Sequence, residues 1–185
     1  EGRLDLDSFL QKNNYVQKLN SKLHRSSFIK NKKKKFLVVR EQGIGDEILY
    51  GSMYGDLLDD IENVTIECDK RLLSLFRRAF PKYSNNFVEL GNITNNDEKF
   101  NQIDYVLYAG SLGKYYRKDI SNFYKGTFMK IDKKNYEEME KKLLAYKKKF
   151  KIGLSWKSFN NRYAIDKSLN LQDFKNIFKL TNCDI

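Results

Sequence analysis

Residues 36–58, FLVVREQGIGDEILYGSMYGDLL, pass from four apolar residues through a polar loop with two glycines and an acid into an amphipathic helix. A short apolar run of this kind reads as a strand buried on both faces, as in parallel sheets covered by helices. Strand, glycine loop and helix in succession restrict the chain to α/β architectures in which the loop lies at the carboxyl edge of the sheet.

The remaining sequence continues the alternation. A strand at 36–40 and a helix at 46–60 precede a strand at 64–68 (VTIEC), a helix at 70–80 ending at Pro81, and strands at 86–90 (NFVEL) and 104–109 (DYVLYA). Strands separated by helices pair in parallel, so the expected fold is α/β, a Rossmann-like parallel sheet flanked by helices. The best-specified helix is 46–60, because Tyr50, Met53, Tyr54, Leu57, Leu58 and Ile61 form one apolar stripe. Its Gly51 and Gly55 each cost a helix about 1 kcal/mol relative to Ala, which implies close packing against a neighbouring element. A further helix at 133–149, a strand at 150–156 (FKIGLSW), a helix near 171–180 and the opening of a strand at 183 follow. Ahead of the first strand, Asp7 or Ser8 opens a lead-in helix over 7–23, and KNKKKK at 30–35 reads as a solvated linker. The expected organisation is a lead-in helix and basic linker (1–33), a Rossmann-like domain (34–149) and the start of a second domain (150–185).

With 185 residues the chain suffices for one domain and part of another. Glu at position 1 and the unfinished TNCDI at the end lead us to expect a segment of a longer protein. Thirty-five Lys and Arg against 24 Asp and Glu give a net charge of +11. The lysines are spread over helices and linkers, so nucleic-acid binding is not expected. No apolar stretch approaches the roughly 18 residues of a membrane span. Cys68 and Cys183 are too few for a disulfide framework or zinc cluster and fit a reduced, cytoplasmic setting. One histidine, His24 beside Arg25, leaves little for His-dependent triads or metal sites, so acid–base chemistry falls to carboxylates, Lys or Tyr. The DLD of residues 5–7 precedes any strand and is discounted as a metal motif.

Three chemistries compete for the glycine loop. A phosphate-binding P-loop needs Lys and Ser or Thr after its last glycine, and Asp46 and Glu47 stand there instead. A dinucleotide fingerprint fits Gly43 and Gly45 but meets Ile48 at its third glycine position, with Glu67 as the candidate ribose-binding acid. In the third reading the glycines turn the chain tightly and Asp46 is functional at a helix N-terminus, or else simply caps that helix.

The stretch LVVREQGIGDEILYGSMYGDL resembles the opening of the glycosyltransferase domain of heptosyltransferase-like proteins, particularly bacterial members in which it follows tetratricopeptide repeats. KIGLSWKSFNNRYAIDKSLNLQDFKNIF, residues 151–178, resembles the start of that family's second domain, and the two matches keep the family's order and spacing. Residues 1–33 carry no clear repeat signature. The resemblance implies a glycosyltransferase-B fold with an N-terminal acceptor domain and the first pieces of a donor domain. It implies an inverting, metal-independent transfer from a nucleotide-sugar donor to a glycan, lipid-linked or protein acceptor, without a cofactor. Asp46 takes the role of general base, Gly43 and Gly45 form the loop, and Glu41 and Gln42 either shape the acceptor pocket or simply finish the strand. After GLSW, Ser155, Lys157, Arg162, Lys167 and Ser168 are the candidates for the donor diphosphate. Many relatives carry a small residue where Lys157 stands, and Lys167-Ser168 fits their basic-Ser pattern better. Trp156 reads as a core or domain-interface residue. From AGSLGKYYRKDISNFYKG, residues 109–126, Ser111, Tyr115 and Arg117 are candidates for the acceptor crevice. With the donor domain incomplete, the isolated chain is expected to be inactive. The rival classes are an NAD-binding domain and a non-catalytic binding or scaffold module.

Overall fold

The computed structural model describes residues 6–26, 33–123, 125–144, 150–151, 153–157, 168–178 and 183–184. Two compact units divide the chain, Glu1–Lys130 and Ile131–Ile185.

In the first unit, α1 (Leu6–Ser21) leads to β1 (Phe36–Val39), α2 (Ile44–Gly51), α3 (Tyr54–Asp60), β2 (Val64–Cys68) and α4 (Lys70–Ala79). A 3-10 turn at Pro81–Asn86 follows, then β3 (Phe87–Glu89), α5 (Asp97–Asn101), β4 (Tyr105–Tyr108), a 3-10 turn at Ala109–Leu112 and α6 (Gly113–Tyr116). The four strands form one all-parallel sheet in the order β3-β2-β1-β4. Phe36 lies opposite both Val64 and Tyr105, so β1 is central. Phe36 and Val38 face a core built by Tyr54, Leu57, Ile61, Phe76 and Phe87, whereas Leu37 and Val39 join Leu19, Phe100, Ile103 and Val106. All four β1 side chains are thus buried, which is why the strand reads as an unbroken apolar run.

The amino-terminal segment belongs to this unit. Val106 N–H donates to Lys22 O at 2.8 Å and His24 N–H to Val106 O at 3.0 Å, a parallel bridge along the free edge of β4. Lys22 Nζ donates to the carbonyls of Phe100, Asn101 and Ile103 at 2.9, 3.1 and 2.7 Å, satisfying the open C-terminus of α5. From the basic run, Lys34 pairs with Asp104 at 3.0 Å; residues 30–32 lie outside the described residues.

The helix expected over 46–60 is two helices. It begins earlier, at Ile44, and breaks at Ser52 and Met53, whose amides bond back only three residues, to Leu49 O and Tyr50 O. The break has two causes. Ser52 Oγ donates to Leu49 O at 2.7 Å, competing with the helix ladder, and Arg117 donates to the freed Ser52 carbonyl at 2.8 Å. Gly51 has the tight packing its type implied: a Cβ there would lie 2.6 Å from the Phe76 ring and 3.2 Å from Phe128. Gly51→Ala is therefore expected to destabilise the unit, because overpacking costs about 1–3 kcal/mol and Ala returns only about 1 kcal/mol of helix propensity. A lowered midpoint in chemical denaturation checks it, and an unchanged or raised one would show that the rings yield freely.

The second unit holds α7 (Lys133–Leu144), β5 (Phe150–Lys151), a 3-10 turn at Leu171–Phe174, α8 (Lys175–Phe178) and β6 (Cys183–Asp184). β5 and β6 pair in parallel. The strand expected over 150–156 is confined to Phe150–Lys151, since residues 153–157 have no regular structure. Among the described residues no helix is long and apolar enough to cross a membrane.

Candidate functional site

After β3 the chain returns to pair β4 with the other edge of β1, so the strand order reverses between β1 and β4. Connections leaving the carboxyl ends of two such strands diverge and leave a crevice, the usual ligand position in open α/β sheets. Here the two connections are residues 40–43 and the turn Ala109–Leu112.

The first connection turns on Gln42, not on a glycine. Among the described residues Gln42 is the one non-glycine with positive φ, 61°, a left-handed conformation costing an L-residue roughly 1–2 kcal/mol. Arg40 Nη2 holds it by donating to Gln42 O at 3.0 Å. Gly43 is extended (φ −90°, ψ −179°) and serves as N-cap of α2, and Gly45 lies within the first helical turn. A Cβ on Gly45 would meet nothing within 4 Å, so its bare backbone answers no packing need inside the unit.

Asp46 is the third residue of α2 and is exposed. Its Oδ2 accepts from Gly43 N–H at 3.1 Å, reaching back over the first turn, while Oδ1 has no protein partner among the described residues. Capping thus occupies only one oxygen of the carboxylate. The second connection is tied to the first by Glu41, whose Oε2 accepts from Gly110 N–H at 2.7 Å. A Cβ on Gly110 would lie 2.8 Å from that oxygen and 3.1 Å from the Tyr50 ring, so a side chain there would displace the Glu41 carboxylate from this bond. Ser111 follows, half-buried.

Beneath Asp46 lies an ionic cluster the sequence reading missed. Glu47, one residue and about 100° further round α2, is fully buried. Its Oε1 accepts from Asp69 N–H at 2.8 Å, and its Oε2 is ion-paired, not hydrogen-bonded, with Arg40 Nε at 3.1 Å. Arg40 Nη1 also donates to Asp69 Oδ2 at 2.9 Å, and Arg71 Nε donates to Asp69 Oδ1 at 2.9 Å. Burial pushes the Glu47 carboxyl above its usual range against the pull of the Asp69 amide and Arg40. Hydrogen bonds from the Arg71 side chain and amide hold Asp69 well below it. The cluster clamps the ends of β1 and β2 to the starts of α2 and α4. The sequence did carry a signal: spacing from Tyr54 and Leu58 puts Glu47 on the core-facing stripe.

Two acceptor-side candidates have other partners. Arg117, its side chain 8% exposed, donates to Ser52 O at 2.8 Å and to Asp56 Oδ2 at 2.7 Å. That places it at the opposite end of α2 from Asp46, about 9 Å along the axis. Tyr115 donates its hydroxyl to Ser26 O at 2.9 Å and lies 3.2 Å from His24 Nδ1. Glu67, the candidate ribose acid, is fully buried and accepts from Ile93 N–H (2.6 Å), Thr94 N–H (2.9 Å) and Thr94 Oγ1 (2.9 Å). It ties down the connection between β3 and α5 and presents nothing to a ribose. Ile48, at the third glycine position, packs half-buried against the core.

The donor-side candidates lie in the second unit. Ser155 and Lys157 are exposed, Ser168 is half-buried, and half-buried Trp156 accepts from Leu169 N–H at 2.9 Å through its carbonyl. Arg162 and Lys167 lie outside the described residues. Among the described residues no three His, Cys, Asp or Glu side chains group as a metal site. A groove lined by Phe36, Asn63, Thr65, Asn86 and Gln102 is at the opposite, amino edge of the sheet. Two of its amides are committed to backbone, Asn63 to Lys33 O at 3.2 Å and Asn86 to Val64 O at 2.7 Å. Comparisons with protein-family models, with curated proteins and with solved structures find no match to this chain.

Proposed function

We propose that the first unit is the acceptor side of an inverting glycosyltransferase of the glycosyltransferase-B type, heptosyltransferase-like, with Asp46 as general base. The observation that carries the reading is the position of Asp46: an exposed carboxylate in the first turn of α2, at the reversal between β1 and β4, with one oxygen held by Gly43 and the other unbonded within the described protein. In the proposed step Oδ1 takes the proton of an acceptor hydroxyl as its oxygen bonds to the anomeric carbon. The bond from that carbon to the nucleoside diphosphate breaks, and its electron pair leaves with the diphosphate. Attack opposite the leaving group inverts the anomeric centre. Negative charge building on the diphosphate calls for hydrogen-bond donors and cations, the role assigned through the resemblance to Ser155, Lys157, Arg162, Lys167 and Ser168. The bare backbone at Gly45 and the strained Gln42 suit a loop that lets substrate approach closely. The engagement of Glu67 counts against the dinucleotide alternative.

The test is nucleotide release by the full natural chain carrying these residues, screened with UDP-, GDP-, ADP- and CMP-sugars, wild type beside Asp46→Asn. Release from one donor, lost in the variant, supports the reading. No turnover with any donor, together with tight NAD binding, would overturn it.

A further inference from the structure

We propose that the crevice takes a neutral sugar or similar polyol as acceptor, held through its hydroxyls by Asp46, Glu41 and Tyr50, and turns away sugars that carry a phosphate or carboxylate. That the bound sugar is an acceptor rests on the glycosyltransferase reading, whereas the preference for neutral polyols over anions does not.

Tyr50 joins the two walls of the crevice. It follows Asp46 by four residues, so the two side chains share a face of α2, one turn apart. Its ring packs beside the turn Ala109–Leu112: a Cβ on Gly110 would lie 3.1 Å from Tyr50 Cζ, 3.2 Å from its Oη and 2.8 Å from Glu41 Oε2. The phenol and the Glu41 carboxylate therefore flank the same point of the second connection, and Asp46 stands one turn nearer the start of α2. The half-buried Tyr50 ring is fixed against the core, which presents its hydroxyl at little further cost in side-chain freedom. Among the described residues Tyr50 Oη has no hydrogen-bond partner, and each carboxylate has only one oxygen bonded, Glu41 Oε2 to Gly110 N–H and Asp46 Oδ2 to Gly43 N–H.

The charge at these positions has one sign. Arg40, beneath the loop, is already paired with Glu47 and Asp69 and donates to Gln42 O. Arg117 is held by Ser52 O and Asp56, and Lys114 Nζ lies over the Tyr115 ring at 4.8 Å. The amino end of α2, which would otherwise draw an anion, carries Asp46 and Glu47 in its own first turn. A phosphate or carboxylate brought between Glu41 and Asp46 would meet like charges, and two unit charges about 5 Å apart near a protein surface repel strongly enough to weaken binding more than about tenfold.

A sugar hydroxyl meets the opposite balance. It donates to a carboxylate oxygen, a charge-assisted bond roughly twice as strong as a neutral one, and it accepts from the Tyr50 O–H. Two acceptor oxygens and one phenol need a ligand with several hydroxyls to engage them together. A serine or threonine side chain offers a single hydroxyl and would fill one position only.

The test measures binding first and transfer second, on the full natural chain. Saturation-transfer NMR is run with the methyl glycosides of glucose, galactose and mannose, each beside its uronic acid and its 6-phosphate. We expect at least one methyl glycoside to bind and its two anionic counterparts to bind at least about tenfold more weakly. Tyr50→Phe keeps the ring and deletes one hydrogen bond, so it should weaken the glycoside about 2–10-fold. Glu41→Gln keeps an amide oxygen for Gly110 N–H and removes the charge, so it should narrow the gap between glycoside and anion several-fold. Absence of glycoside binding, anions that bind as tightly as the glycosides, an unchanged gap in Glu41→Gln or an unchanged affinity in Tyr50→Phe would each overturn the proposal. Should either variant fail to fold, the wild-type selectivity decides alone. The bound glycoside should also raise nucleotide release from the competent donor. No release with any donor, with the selection for neutral glycosides intact, would sink the transferase reading and leave the polyol site standing.

Discussion

Glu47→Ala is expected to destabilise the first unit by about 3 kcal/mol, the low end of the range for removing one partner of a buried ion pair, because Arg40 keeps Asp69 as a partner. The variant would strand Asp69 N–H, which donates to the lost carboxylate, and would take from the partly exposed Arg40 the nearer of its two carboxylate neighbours to Nε. For a chain of this size that loss corresponds to a melting temperature lower by roughly 6–12 °C. Glu47→Gln should lie between the two, because its amide oxygen can serve Asp69 or Arg40 but its NH2 must then face the other donor. A double-mutant cycle with Arg40→Met isolates the direct term: the combined variant should lose clearly less than the sum of the singles. Additive losses would show that Glu47 and Arg40 act independently. The effect should also reach the crevice, because the guanidinium that meets Glu47 holds Gln42 in its left-handed conformation.

That coupling marks where sequence reasoning succeeded and where it stopped. β2 is legible to the residue because VTIEC alternates between the two faces: Val64, Ile66 and Cys68 join one core while Glu67 turns to the other side. The start of α4 was equally legible, Asp69 being an N-cap that accepts from Arg71 N–H at 3.0 Å. The break between α2 and α3 was not. The apolar stripe from Tyr50 to Ile61 runs through it almost in phase, and the donor that stabilises it, Arg117, is 65 residues away. Periodicity reports which face is buried and says nothing about a remote guanidinium reaching for a carbonyl.

The site divides in the same way. The position of the glycine loop at the carboxyl edge of the sheet followed from strand, loop and helix in order, and Asp46 is exposed there. The turn was credited to glycines because glycine tolerates positive φ most cheaply, yet Gln42 adopts it under the grip of Arg40. Tyr115 and Arg117 read as crevice residues by composition, but their partners come from α1's following segment and from the helix break. His24, in a stretch that reads as basic linker, is buried because residues 22–24 add to the edge of β4, a pairing no local pattern announces.

Asp46→Asn should separate the capping bond of this carboxylate from the general-base role we propose for it. Asparagine is nearly isosteric, and its amide oxygen can accept from Gly43 N–H as Oδ2 does now, so the first turn of α2 keeps its bond. Stability is expected to stay within about 0.5 kcal/mol of wild type, the usual range for a surface change that breaks nothing. The amide cannot take a proton from an attacking hydroxyl, so turnover of the competent donor by the full natural chain should fall by about 10²–10⁴, the typical contribution of a general base, with donor affinity retained. Asp46→Ala removes the cap as well and should add a stability loss of about 0.5–2 kcal/mol to the same loss of turnover. The readouts are denaturation midpoint, donor Kd and initial rate, measured on all three proteins. Wild-type turnover in Asp46→Asn with reduced stability in Asp46→Ala would mean that Asp46 is only a cap, and the proton acceptor would then have to be sought elsewhere on the crevice, beginning with Glu41.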